Sequence, residues 1–144
     1  MAEEIKDSIV EKYNFIPRKY VGLFVLGNNI DRYRLLPFYK TCHRTKLDSY
    51  DSYDFYEDHI IVWVEKDKIQ NICCKTACYW KGNNLINMKY DEFVEKYQLI
   101  PDDSDNIYLL VNGHGQNQKV YDFDKIGLQI WVWRKKIVTA IVSK

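Results

Sequence analysis

Charge of one sign, long apolar runs, proline and glycine are all scarce in this sequence, and each scarcity removes a class of protein. The 144 residues carry 21 Lys and Arg against 20 Asp and Glu, so a formal charge of +1 supplies no global field for a polyanion. The longest apolar stretches, such as 23–26 and 60–64, are a few residues long, where a spanning helix needs roughly 20. The amino-terminal segment holds Glu3, Glu4, Lys6 and Asp7 in place of the basic and then apolar order of a signal peptide, so a cytoplasmic location is expected and no membrane partner is. Only 3 prolines and 6 glycines accompany 47% hydrophobic residues, a balance that excludes low-complexity disorder and predicts one packed domain over 1–144.

Residues that carry chemistry are sparse as well. Cys73, Cys74 and Cys78 cluster while Cys42 stands beside His43, but the second Cys or His pair that a zinc site needs is missing. Partly buried thiols in a reducing compartment account for them, and no metal or cofactor is expected. The three histidines are His43, His59 and His114, and sequence adjacency to Cys42, Asp58 or glycine does not build a nucleophile, base and orienting acid. Gly113-His114-Gly115 lacks the Lys and Ser or Thr of a phosphate loop. No catalytic residues are expected, and the chain is read as a non-enzyme.

What is present is a repeat. Gly27-Asn28-Asn29-Ile30 recurs as Gly82-Asn83-Asn84-Leu85, each followed by an amphipathic segment, an acidic tyrosine-rich stretch and a tryptophan-bearing hairpin. The first hairpin runs over 60–72 and the second over 128–141, so two units, approximately 20–75 and 79–143, lie roughly 60 residues apart. Phe93, Val94 and Tyr97 recur at helical spacing in 90–99, and the matching helix of the first unit is expected over 30–39 with Pro37 at its end. Asn28 or Asn29, and Asn83 or Asn84, are the expected helix caps. Gln129, Trp131 and Trp133 share one face of the last hairpin, while Leu128, Ile130 and Val132 share the other. The expected fold is α+β: tandem duplicated helix plus antiparallel-strand units forming one sheet-based domain of six to eight strands with two helices on one face.

The segment Lys81-Gly82-Asn83-Asn84-Leu85-Ile86 within 79–99, and Tyr121-Asp122-Phe123 with Ile126-Gly127-Leu128 ahead of the final hairpin, resemble small bacterial immunity proteins of contact-dependent or polymorphic toxin systems. Val21-Gly22-Leu23-Phe24-Val25-Leu26-Gly27 is similar in type in the first unit. The resemblance implies a protein that binds and neutralises a cognate toxin domain and performs no catalysis of its own.

Composition supports binding independently. Asp48, Asp51, Asp54, Glu57 and Asp58 interleave with Tyr50, Tyr53 and Tyr56, and no basic residue interrupts 47–58. Rings supply contact area and carboxylates steer and pair with cations, so this strip is the expected surface for a basic partner such as a nuclease. Asp102, Asp103 and Asp105 form a second acidic candidate. RNA binding is the rival class, through Arg32, Arg34, Arg44 and Lys46 or through Arg134, Lys135 and Lys136, but the acidic strip opposes a long polyanion and nucleic acid is not the expected partner. The surplus of tryptophan also leaves a homodimer seam open as a use of the sheet.

Overall fold

The computed structural model describes residues 9–44, 49–56 and 59–144. Helical residues 9–13 lead into a three-stranded antiparallel sheet, β1 (Phe15–Ile16), β2 (Tyr20–Val21) and β3 (Phe24–Val25). After a 3-10 turn at Ile30–Tyr33 the chain forms a meander of β4 (Phe38–Arg44), β5 (Ser49–Phe55), β6 (Ile60–Glu65) and β7 (Lys68–Cys74). A short ribbon, β8 (Tyr79–Trp80) and β9 (Asn83–Asn84), precedes helix α1 (Tyr90–Tyr97). A second meander follows: β10 (Asp103–Val111), β11 (His114–Phe123), β12 (Leu128–Trp133) and β13 (Lys136–Ser143).

The two meanders join into one eight-stranded antiparallel sheet of order β10-β11-β12-β13-β7-β6-β5-β4. Their registers correspond residue for residue. Phe55 pairs with Ile60 as Phe123 pairs with Leu128, Tyr53 with Val62 as Tyr121 with Ile130, and both halves slip register at the same place, Trp63/Val64 and Trp131/Val132. At the seam Cys73 pairs with Ile141, its own counterpart in the other half, while Ile72–Val142 and Cys74–Ala140 exchange with one another. The sheet is therefore pseudo-two-fold about the β7–β13 seam. Two-residue turns with positive φ at both positions, Lys66-Asp67 and Arg134-Lys135, close the equivalent hairpins, the turn geometry that suits strand twist.

The α+β expectation of duplicated helix-strand units is corrected here, because the fold is predominantly strand and what repeats is the four-stranded meander. The helix expected over 30–39 is a single 3-10 turn ending at Tyr33. Pro37 removes a donor and holds Leu36 out of helical geometry, and the run Phe38-Tyr39-Lys40-Thr41-Cys42 continues as edge strand β4. Of the two expected helices only α1 forms, with Phe93 buried, Asp91 and Glu92 in the first turn, Lys96 in the last and Gln98 in the left-handed conformation at its end. The Gly-Asn-Asn match also shifts. Gly27 N–H donates to Ile69 O at 2.8 Å, whereas the residue in that place in the second half is Asn87, donating to Ile137 O at 2.7 Å. Gly82 lies in the β8–β9 turn instead, Asn84 Oδ1 accepts from Cys78 N and Ile86 N, and α1 is capped by Lys89.

One face of the sheet is covered by these additions. In the first half Phe24 from β3 packs on Phe55, ring centroids 4.6 Å apart, and in the second half Phe93 from α1 packs on Phe123 at 5.7 Å. Trp80 bridges the covers, against Phe15 at 5.5 Å and stacked on Tyr97 at 4.2 Å. Val62, Ile72, Ile130 and Ala140 form the buried floor beneath. The opposite face has no such layer among the described residues.

Candidate functional site

The pleat of β5 divides the acidic aromatic strip between two faces, because successive side chains on a strand point in opposite directions. Asp51 and Tyr53 alternate towards the covered face with Phe55, while Tyr50 and Asp54 lie on the open face with Ser52. Asp51 sits 3.0 Å from Arg44 Nη1 and 3.9 Å from Lys40 Nζ. Burial alone would raise its pKa, but hydrogen bonds from Arg44 and Cys42 and the charges of Arg44 and Lys40 outweigh that and hold it below the ordinary carboxylate value. Tyr53 is buried in the core, and the half-buried Tyr56 ring lies 3.7 Å from Lys12 Nζ. Asp48, Glu57 and Asp58 lie outside the described residues.

Asp102, Asp103 and Asp105 are exposed at the opposite end of the sheet. Asp102 Oδ2 accepts from Asp124 N at 2.7 Å, and Asp103 and Asp105 accept from Ser104 N and Asn106 N, both at 2.8 Å. Five strands separate β10 from β5, about 29 Å measured along the sheet, so the two acidic groups do not converge. A small test follows from Asp51. Its lowered folded-state pKa contributes stability above the unfolded carboxylate value of about 4, lost as pH falls through the lower folded value. Asp51→Asn is expected to lower the melting temperature slightly at about pH 7 and not at about pH 2; an equal deficit at both would show that packing, not charge, holds Asp51.

The open face gathers what the strip does not. Trp63, Trp131 and Trp133 stand half-buried on it, with Trp63 and Trp131 at equivalent positions of the two halves. Gln129 Nε2 donates to Asp122 Oδ1 and Trp131 Nε1 donates to Gln129 Oε1, each at 2.8 Å, which fixes the Trp131 ring. The face is concave: Ile61 of β6 and Leu109 and Val111 of β10 line one hollow of about 510 Å³ with all three tryptophans. An adjoining hollow of about 510 Å³ contains Trp63, Trp131, Asp122, Asp124 and Arg18. The alternation of Gln129, Trp131 and Trp133 is legible in the sequence, but the curvature that brings β10 over them is not.

Isolated titratable groups are held by strand neighbours. His43 Nε2 lies 3.0 Å from Ser52 Oγ and its ring stacks on Tyr50 at 4.4 Å, tying edge strand β4 to β5. His59 Nδ1 lies 2.5 Å from Thr76 Oγ1, and His114 opens β11 opposite Val111. Cys73, Cys74 and Cys78 are buried thiols and Cys42 is an exposed one. Burial raises Cys73 to about 12 and pushes Cys78 up, so both stay protonated and unreactive at neutral pH. Among the described residues no three His, Cys, Asp or Glu side chains are placed to hold a metal, and no helix is long and apolar enough to cross a membrane. No family model, curated protein or solved structure matches the chain.

Proposed function

We propose that this chain is a non-catalytic immunity protein that binds and neutralises a toxin domain in the cytoplasm, seating it against the open face of the sheet. The observation that carries this is the concave patch of Trp63, Trp131 and Trp133 with Ile61, Leu109 and Val111 around them. An aromatic cluster of this kind, left uncovered on a strand scaffold, has the make-up of an interface centre. Asp54, Asp105 and Asp122 on the same face, beside Lys75, Arg18 and Lys144 in the two hollows, give the apolar patch a rim of mixed charge that can pair with either sign on a partner such as a nuclease domain. Four free thiols fit a reducing compartment.

The test uses the full chain and the purified toxic domain encoded beside it. A one-to-one complex that suppresses the toxic activity is expected, with Trp131→Ala weakening it about 30-fold, or about 2 kcal/mol. Trp63→Ala serves as a second variant should Trp131→Ala perturb the sheet, and its melting curve is read alongside. Full toxic activity at saturating chain, or parental affinity in both folded variants, would overturn the proposal.

A further inference from the structure

The duplicated scaffold supplies an internal control, since equivalent places in the two halves can be compared for charge. At the end of the sheet where α1 begins, a hollow of about 650 Å³ is lined by Lys89, Lys119, Arg134, Lys135 and Lys136, with Asp91 as its one carboxylate. Backbone pairing fixes the counterparts: Lys119 faces Val132 as Asp51 faces Val64, and Lys89 bridges to Lys136 as Asn29 bridges to Lys68. In the first half the same places hold Asn29, Asp31, Asp51, Lys66, Asp67 and Lys68, three carboxylates against two cations. One backbone thus carries a balanced surface at one end and a strongly cationic hollow at the other, although the chain as a whole is near neutral.

Turn geometry does not explain the excess, because Lys66-Asp67 and Arg134-Lys135 adopt the same positive φ. Nor do ion pairs, since no carboxylate lies within salt-bridge distance of these five cations among the described residues. Tyr90 contributes its ring to the wall of the hollow, while its hydroxyl is closed off from solvent. Its ring is fixed by stacking on Tyr121 at 3.9 Å. Helix α1 starts at the rim, and its cap Lys89 supplies no side-chain hydrogen bond, so the positive end of the helix dipole adds to the field.

We infer that this hollow is a binding site for a small ligand carrying several linked phosphates, such as a nucleoside triphosphate. Its volume is within the range of small-molecule sites, and five cations match the charge of an oligophosphate rather than a single anion. The site lies on the covered side of the sheet, with Arg134 at its edge stacking its guanidinium on Trp133 at 4.3 Å, and does not rest on the toxin-binding proposal.

Calorimetric titration of the full chain with inorganic tripolyphosphate, ATP, adenosine and a short RNA tests this. Saturable one-to-one binding of tripolyphosphate and ATP is expected at low salt, falling as salt is raised, with no binding of adenosine. Lys119→Asp with Lys135→Asp installs the residues that Asp51 and Asp67 already occupy in the other half, so the fold tolerates them, and the pair is expected to weaken binding at least about tenfold. Absence of saturable tripolyphosphate binding, parental affinity in the folded double variant, adenosine binding as tightly as ATP, or RNA binding without tripolyphosphate binding would each overturn the inference.

Discussion

Phe55→Ala is expected to lower the unfolding free energy by about 3–5 kcal/mol, and Phe123→Ala by a comparable amount. Both side chains sit at the same register position of the two meanders, and both are sealed from water, Phe55 fully and Phe123 at 3% exposure. Phe55 lies 4.6 Å from Phe24 and 5.7 Å from Phe38, so its loss opens a cavity among rings that cannot collapse without moving β3 or β4. Phe123 meets Phe93 of α1, a different cover over the same position. Denaturant unfolding followed by far-ultraviolet and tryptophan signals checks the point. One coincident transition is expected in every variant, because the β7–β13 seam makes the two meanders one sheet. A silent Phe123→Ala, or two separate transitions, would show that the halves fold as independent units.

The comparison of these two phenylalanines also marks what the sequence could reveal. Hairpins over 60–72 and 128–141 are legible because β-branched and aromatic residues alternate with polar ones around short charged turns, and the structure places β6–β7 and β12–β13 there. The cover over each hairpin was not legible. A 3-10 turn with β3 does in one half what α1 does in the other, and the segment that looked helical, 30–39, carries a proline and a β-forming run that tertiary pairing converts to β4. The Gly-Asn-Asn identity misaligns the halves because it links residues in different turns, whereas the true equivalence is carried by backbone pairing to Ile69 and Ile137. Two features of the candidate sites lie beyond linear order and totals: the pleat of β5 sends alternate members of the acidic strip to opposite faces, and a net charge of +1 contains a cluster of five cations at one end of the sheet.

Gly22→Ala is the other change expected to be severe, by about 3 kcal/mol or more, and its reason lies in the same comparison of halves. Gly22 opens the two-residue turn between β2 and β3, with φ of +55°, as Lys81 opens the turn between β8 and β9 with φ of +51°. Positive φ alone therefore does not require glycine at this place in the fold. What requires it is the Lys12 carbonyl oxygen, which occupies the space a Cβ on Gly22 would take and cannot swing aside as a side chain could. Alanine would push the helical residues 9–13 away from β2, while the Gly22 N–H to Asn14 O bond of 2.7 Å holds the same two segments together. Val21 and Phe24, both fully buried on either side of the turn, would lose their cover as the segments part. Lys81→Gly carries the opposite sign. Lys81 is exposed, and glycine relieves its left-handed backbone, so the variant is expected to be neutral or to gain up to about 1 kcal/mol. Equilibrium unfolding of the two variants side by side decides the matter: a Gly22→Ala loss no larger than the Lys81→Gly gain would mean that φ rather than the Lys12 carbonyl sets the requirement, and a harmless Gly22→Ala would mean that the amino-terminal segment does not seal the core.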